Sequence, residues 1–148
     1  MRKVSMFIAG CFVFAMAISM FGQARNLDTI MKEIGPLWQG AAGAPALGSR
    51  GTAILDSATP DLAKVATDAG KLQGLFTEAA AEFTKLNLAE PAKMSSDIAA
   101  AAGDLAKQAK AGKLTDAKAS KTAIGQCGAC HMKYREADPA GGFKLKAQ

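Results

Sequence analysis

The chain has 148 residues, of which 49% are hydrophobic, 21% charged and 6% aromatic, and its formal net charge is +5. This length and balance are typical of one globular domain and exclude a disordered or collagen-like chain. The only histidine is His131, and there are three cysteines. A zinc site of Cys and His would consume nearly all of these residues, including the distant Cys11, and is therefore disfavoured. A Ser-His-Asp or Cys-His enzyme would have to use His131 as its base.

The N-terminus has the pattern of a secretory signal peptide. Arg2 and Lys3 precede an uncharged stretch over 4–21, and Gly22-Gln23-Ala24 places small residues at the positions that signal peptidase requires. We therefore predict cleavage after residue 24 and export to the periplasm. The uncharged stretch is close to the lower limit for a membrane span, so an uncleaved membrane anchor is the alternative.

Cleavage divides the chain into a signal peptide at 1–24 and a mature domain at 25–148, which retains only Cys127 and Cys130. Loss of Arg2 and Lys3 lowers the formal charge from +5 to +3. This surplus is mild and no Lys/Arg cluster accompanies it, so nucleic acid is not an expected partner.

Hydrophobic spacing predicts helices throughout the mature domain and no strands. Asn26 is a candidate N-cap for the first helix, and Gly35-Pro36 predicts a kink or an early stop in it. The composition of 41–49 indicates a linker. The apolar face of the first helix comprises Leu27, Ile30, Met31, Ile34, Leu37 and Trp38.

The second helix has the clearest pattern, with Thr59-Pro60 as its predicted cap and first helical position. Pro91 opens a third helix, a turn at 111–113 follows, and Thr115 caps a fourth helix that runs to about Asp138-Pro139. Short connections favour antiparallel neighbours, so the predicted fold class is all-α, an antiparallel four-helix bundle. The apolar seam of the second helix comprises Leu62, Val65, Ala69, Leu72, Phe76, Ala79, Phe83 and Leu86, and that of the third comprises Met94, Ile98, Ala101, Leu105 and Gln108.

A C-x-x-C-H sequence, the attachment motif of haem c (heme c), occupies residues 127–131. Because an α-helix turns 100° per residue, Cys127, Cys130 and His131 project within an arc of about 100°. The pattern predicts one covalent haem bound through both thiols, with His131 as the proximal iron ligand. Many seam positions are alanine, so the bundle would gain from a large apolar insert.

Two alternatives compete for the same cysteines. A dithiol redox centre is one, but that chemistry usually lies at the start of a helix in an α/β fold, and the chain shows no βαβ pattern. A structural disulfide is the other, but it would close a very short loop and constrain little.

The C-x-x-C-H-x-x-Y-R sequence near the C-terminus resembles that of the class II cytochromes c, which include the cytochromes c′. This resemblance implies an antiparallel four-helix bundle that holds one covalently attached haem c, often as a homodimer. It also implies that Arg135 lies beside the haem on the proximal side, although spacing alone allows a solvated cation at a helix end. The matching residues are Cys127, Cys130, His131, Tyr134 and Arg135, and the Ala-Gly-Lys-Leu turn at 111–114 also resembles the family's turn between its third and fourth helices.

The distal iron ligand separates two functions, and after cleavage the candidates are Met31, Met94 and Met132. Met132 neighbours the proximal ligand, and Met94 is interpreted as core filler. From spacing alone, Met31 is a buried thioether of the first helix or a ligand. The resemblance favours ligation, because low-spin members of the family carry a ligating methionine shortly before a glycine, as Met31 precedes Gly35. Pro36 departs from the family's pattern.

Ligation by Met31 predicts an electron-transfer protein that docks with periplasmic or membrane redox proteins. The alternative is a five-coordinate cytochrome c′ that binds NO or CO in an open distal site capped by Leu27 or Ile30. A third hypothesis is a haem-free dithiol protein. No paired carboxylates or base–nucleophile couple stands out, so enzymatic turnover is not expected.

Overall fold

The computed structural model describes residues 26–40, 45–48, 53–139 and 143–146, so the predicted signal peptide and Cys11 lie outside the described residues. Within these ranges the protein is mostly helical, as predicted, and contains a little sheet. No helix in the described ranges is long and apolar enough to cross a membrane. The elements are α1 (Leu27–Gln39), a 3₁₀ turn (Ile54–Asp56), α2 (Leu62–Lys85), α3 (Ala89–Lys110), α4 (Leu114–Ile124), α5 (Cys127–Tyr134), β1 (Arg135–Ala137) and β2 (Phe143–Leu145).

Helix α1 begins where the sequence predicts, because the Asn26 side chain accepts the Thr29 N–H at 2.8 Å. The predicted early stop at Gly35-Pro36 is wrong, since the helix continues to Gln39. Pro36 lies in the last turn, so its missing N–H removes one bond from the ladder and leaves little helix beyond it to disrupt. The Gly40 N–H closes the helix by donating to the Pro36 carbonyl at 3.0 Å.

Helices α2 and α3 make the most extensive contact between elements of the described chain. The predicted seam of α2 is largely confirmed, although Leu62 is half-buried and Leu86 is 52% exposed. The predicted cap at Thr59-Pro60 is wrong by two residues, because the Asp61 carboxylate accepts the Lys64 N–H at 2.9 Å and α2 starts after it. The seam residues that are buried are Val65, Ala69, Leu72, Phe76, Ala79 and Phe83.

Both long helices end in the same way. Asn87 after α2 and Gly112 after α3 have positive φ angles of 58° and 71°. In each case the next residue donates its N–H to the carbonyl five residues earlier, at 2.9 and 3.0 Å. This pattern satisfies the last carbonyls of a helix and reverses the chain within three residues. The predicted turn at 111–113 is therefore confirmed.

The segment predicted as a linker also contributes to the core. Leu47 is fully buried, and so is Leu55 of the 3₁₀ turn. The Leu47 N–H donates to the Leu37 carbonyl at 3.3 Å, which ties the segment to the end of α1. One core therefore unites α1–α4 with this loop, and its largest fully buried side chains are Ile30, Leu47, Leu55, Val65, Leu72, Leu105 and Ile124.

The prediction of a single fourth helix from Thr115 to about Asp138-Pro139 is wrong. The helix breaks at Gly125, whose N–H bonds to the carbonyl three residues earlier, and resumes as α5. Glycine has a low helix propensity, which favours a break there. Lys113, rather than the predicted Thr115, occupies the N-cap position of α4, and its side chain makes no capping hydrogen bond.

The prediction of no strands is also wrong, because α5 ends at Tyr134 and the chain becomes extended. Arg135 has φ −117° and ψ 137°, and β1 pairs antiparallel with β2 in a register that places Arg135 opposite Leu145. Two three-residue strands are too short to show an alternating pattern in the sequence. Next to β2, the Lys146 N–H donates to the Tyr134 carbonyl at 2.9 Å, so this segment lies against the end of α5.

Candidate functional site

A cavity of about 720 Å³ is lined by residues of α1, α2, α3 and α5, together with Arg135 of β1 and residues of β2. Its size lies within the range of roughly 300–1,000 Å³ that is usual for small-molecule and cofactor sites. All five residues that the sequence singles out for a haem site line this cavity, although α1 and α5 are distant in the chain. These residues are Met31, Cys127, Cys130, His131 and Arg135.

Helix α5 forms the first wall of the cavity. Its start at Cys127 follows from the break at Gly125, and its periodicity places Cys127, Cys130 and His131 on one side. All three side chains are half-buried. The Cys127 Sγ donates to the carbonyl of Ile124 at 3.2 Å, so the thiol satisfies an acceptor that the helix break leaves without an intrahelical partner. The three side chains that helical spacing predicts on one side of α5 therefore all line the cavity.

Both cysteines are free thiols whose surroundings favour the protonated form. Burial raises the pKa of Cys127 to about 11. Burial also raises the pKa of Cys130, and the negative charge of Glu90 adds to this effect. Dithiol redox centres depend on a lowered thiol pKa, since the thiolate is the nucleophile. The environment of Cys127 and Cys130 instead raises the pKa of both thiols.

His131 faces the cavity. Its pKa is lowered first by burial and then by the positive charge of Arg135, and both effects favour the neutral ring. The Arg135 Nη1 lies 3.4 Å from the His131 Nδ1. A neutral ring is the form in which histidine binds a metal ion. Arg135 thus lies beside the imidazole and lines the cavity.

Helix α1 forms a second wall. Leu27, Met31, Gly35 and Trp38 are spaced by about one turn and all line the cavity, with Met31 half-buried. A Cβ atom built on Gly35 would meet no atom within 4 Å. The backbone of α1 is therefore open to the cavity between the thioether and the indole, which leaves room for a flat group to approach closely.

Leu27 and Ile30, the two predicted caps of an open distal site, lie in different surroundings. Leu27 lines the cavity, whereas Ile30 is fully buried in the core and does not line it. The expectation that Ile30 could cap the site is therefore wrong. The reason is geometric: Met31 and Ile30 are 100° apart around α1, and the turn that directs Met31 to the cavity directs Ile30 to the other helices.

Several further cavity residues are not apparent from the sequence as site residues. Met94 of α3, interpreted there as core filler, is half-buried and lines the cavity, so two thioethers line it. Phe76 and Phe83 of α2 also line it, and their seam spacing is the only sequence signal for either. Met132 does not line the cavity and is 77% exposed.

The donor set and shape of the cavity fit a covalently bound haem. Two thiols and an imidazole occupy one wall, a thioether and an open glycine occupy another, and aromatic rings from α1 and α2 complete an apolar lining. In comparisons with protein families, curated proteins and solved structures, no match to this chain is found.

Proposed function

We propose that the protein is a haem c electron-transfer protein of the periplasm, with His131 and Met31 as iron ligands. The observation that carries the proposal is that a thioether near the start of the domain lines the same cavity as the C-x-x-C-H sequence near its end. Cys127 and Cys130 would hold the haem through thioether bonds. The proposal includes the antiparallel four-helix arrangement of the class II cytochromes c, which the tight turns after α2 and α3 support.

The residues around the cavity each have a distinct task in this proposal. Burial and the charge of Arg135 favour the neutral His131 ring, which would hold the iron. Met31, on the α1 wall, would be the second iron ligand and would exclude external ligands. When bound, the haem supplies a one-electron iron couple whose potential rises with thioether ligation and burial. Much of the lining is apolar, which would suit the porphyrin ring.

The function assigned to the protein is transfer of one electron between periplasmic or membrane redox proteins, without catalytic turnover of its own. A homodimer is part of the proposal through the family resemblance, and nucleic acid is not a proposed partner. The raised pKa values of both thiols count against the dithiol alternative, because such thiols are poor nucleophiles at neutral pH.

The first experiment is an absorption spectrum of oxidised and reduced protein, purified from a host that attaches haem c. We expect one haem per chain that remains bound after denaturation and acid–acetone extraction. Replacement of both Cys127 and Cys130 by Ala should make the pigment extractable or absent. A colourless wild-type product from that host, alongside a control cytochrome c that matures normally, would overturn the proposal.

A matched pair of variants tests the distal ligand. Met31→Ala should turn the spectrum high-spin and lower the reduction potential, because it removes the thioether from the iron. Met94→Ala removes the second thioether of the same cavity and should leave the spectrum low-spin. If Met94→Ala gives the high-spin spectrum and Met31→Ala does not, the assignment of Met31 is wrong.

Carbon monoxide distinguishes the proposal from the five-coordinate alternative. Reduced wild-type protein should bind CO slowly and incompletely, whereas Met31→Ala should bind it rapidly. Rapid and complete binding by the wild type would favour an open site capped by Leu27, which also lines the cavity.

A further inference from the structure

Packing alone holds α5 weakly. It has eight residues, and only Tyr134 among them is buried. Met132 and Lys133 are exposed, while the three predicted haem residues face the cavity. A helix of two turns is also too short to be stable by itself. Specific contacts must therefore fix which side of α5 faces the cavity.

The strongest of these contacts meet at Glu90 in the first turn of α3. The Lys133 Nζ donates to both carboxylate oxygens of Glu90, at 2.8 and 2.6 Å. The Tyr134 hydroxyl donates to the Glu90 Oε2 in a short hydrogen bond. The Lys133 Nζ also lies 5.2 Å from the centre of the Tyr134 ring. One carboxylate thus binds two consecutive residues of α5 across more than forty residues of sequence.

The two residues that bond to Glu90 differ in their surroundings. The side chains of Glu90 and Lys133 are 56% and 59% exposed, and exposed ion pairs contribute little to stability. Tyr134 is only 6% exposed, so its ring has one position and its hydroxyl bond to a charged acceptor is directional. The Tyr134 bond is therefore the contact that can fix the rotation of α5.

Tyr134 follows His131 by three residues, so the two side chains lie on the same side of α5. Both line the cavity. A bond that fixes the tyrosine therefore also fixes the rotation of the helix about its own axis and the direction of the imidazole. Glu90 belongs to α3, which packs extensively on α2, so the fixed point is anchored in the most firmly packed part of the described chain.

We propose that Glu90 is a positioning residue, which orients α5 through the Tyr134 hydroxyl and thereby sets the direction of the His131 imidazole in the cavity. This inference rests on the proposed haem function. Glu90 touches neither the thiols nor the imidazole by hydrogen bond; it acts through Tyr134. Loss of the carboxylate is expected to change how His131 would hold the iron, without removing any of the proposed ligands.

The test compares haem-loaded wild-type protein with Glu90→Ala, Glu90→Gln and Tyr134→Phe. Asp97→Ala is the matched control, since Asp97 lies on the same helix and pairs with Lys93 at 2.6 Å within α3. The readouts are the paramagnetic proton NMR shifts of the haem methyl groups, which report the imidazole plane, and the reduction potential. Amide hydrogen exchange of residues 127–134 reports the order of α5 independently of the haem.

We expect Glu90→Ala and Tyr134→Phe to change the methyl shift pattern and the potential, and to speed exchange in α5. Glu90→Gln, which keeps an acceptor for the hydroxyl, should restore most of the wild-type pattern, and Asp97→Ala should leave it unchanged. If Glu90→Ala does not fold, Tyr134→Phe and Glu90→Gln still decide the matter.

Three results would overturn the inference. These are wild-type NMR shifts in Tyr134→Phe, an equal response of Asp97→Ala and Glu90→Ala, and unchanged α5 exchange in every variant. A wild-type chain that carries no haem would instead overturn the proposed function, and the exchange comparison would still show whether Glu90 orders α5. The two failures are thus distinguishable.

Discussion

The α2–α3 pair and the α5 region are held in place by different forces. Along α2 and α3 the contact surface consists of buried aliphatic, aromatic and alanine side chains. Around α5 the contacts are polar and few: the Cys127 thiol donates to a carbonyl, Glu90 accepts from two side chains, and Lys146 donates to the Met132 carbonyl at 2.7 Å. The first region has a continuous apolar surface, whereas the second faces a cavity.

This difference shows how the site relates to the scaffold. Apolar packing is strong but adaptable, since its free energy follows buried area and volume. Hydrogen bonds contribute less each but depend on direction. The long helices therefore provide stability, while the short helix that carries the C-x-x-C-H sequence is oriented by directional contacts. A site built on α5 gains precision from Glu90 and gains stability from elsewhere.

The largest expected effect breaks the packed region. Leu72→Ala should lower the free energy of unfolding by about 2–5 kcal/mol, because Leu72 is fully buried between the long helices and its loss leaves a void. Leu86→Ala is the control, since Leu86 follows α2 but is 52% exposed, and it should change stability by less than about 0.5 kcal/mol. Urea unfolding followed by circular dichroism measures both; equal losses would contradict the comparison.

The same contrast explains what could be predicted from the sequence. The seam of α2 repeats over many turns, so the errors at Leu62 and Leu86 affect only its ends. The break at Gly125 could not be predicted in the same way. A single glycine costs a helix only about 1 kcal/mol, and whether the helix continues depends on the tertiary contacts of α5. The β1–β2 hairpin likewise depends on pairing between segments that are each too short to have a pattern.

The residues of the site also differ in how well they could be predicted from the sequence. The spacing of Cys127, Cys130 and His131 is local, and helical geometry alone places them on one side. Met31 required the family resemblance, because a thioether on an apolar stripe has the same spacing whether it fills a core or faces a cavity. Glu90 gave no sequence signal at all, since its partners lie more than forty residues away. Contacts of this kind are determined by the tertiary fold.

A second, smaller effect concerns the loop that supports the α1 wall. Gly48→Ala should lower the free energy of unfolding by about 1–3 kcal/mol, because a Cβ there would lie 2.7 Å from the indole of Trp38 and would also meet its carbonyl. Trp38 lines the cavity, so if the protein binds haem as proposed, the variant should also alter the spectrum of the haem-loaded protein. Gly74→Ala, on α2 where a Cβ would meet no atom within 4 Å, should raise the free energy of unfolding by about 0.5–1 kcal/mol. Thermal unfolding compares them, and a neutral Gly48→Ala would show that the loop adjusts freely.

The smallest effect concerns an ion pair between the 3₁₀ turn and α4. The Lys121 Nζ lies 3.0 Å from the Asp56 Oδ2, and its hydrogen bond and charge hold the pKa of Asp56 below the usual 3.8. A carboxylate with a lowered folded-state pKa stabilises the fold above its unfolded pKa, and this contribution is lost as the pH falls through the folded-state value. Asp56→Asn should therefore be slightly less stable than wild type at pH 7, and the difference should shrink between about pH 5 and about pH 2.

Lys121→Met should behave in the same way, and the double variant should lose no more than either single variant. Urea unfolding across that pH range measures this, and a difference that is equal at pH 7 and pH 2 would show that the pair contributes through packing rather than charge.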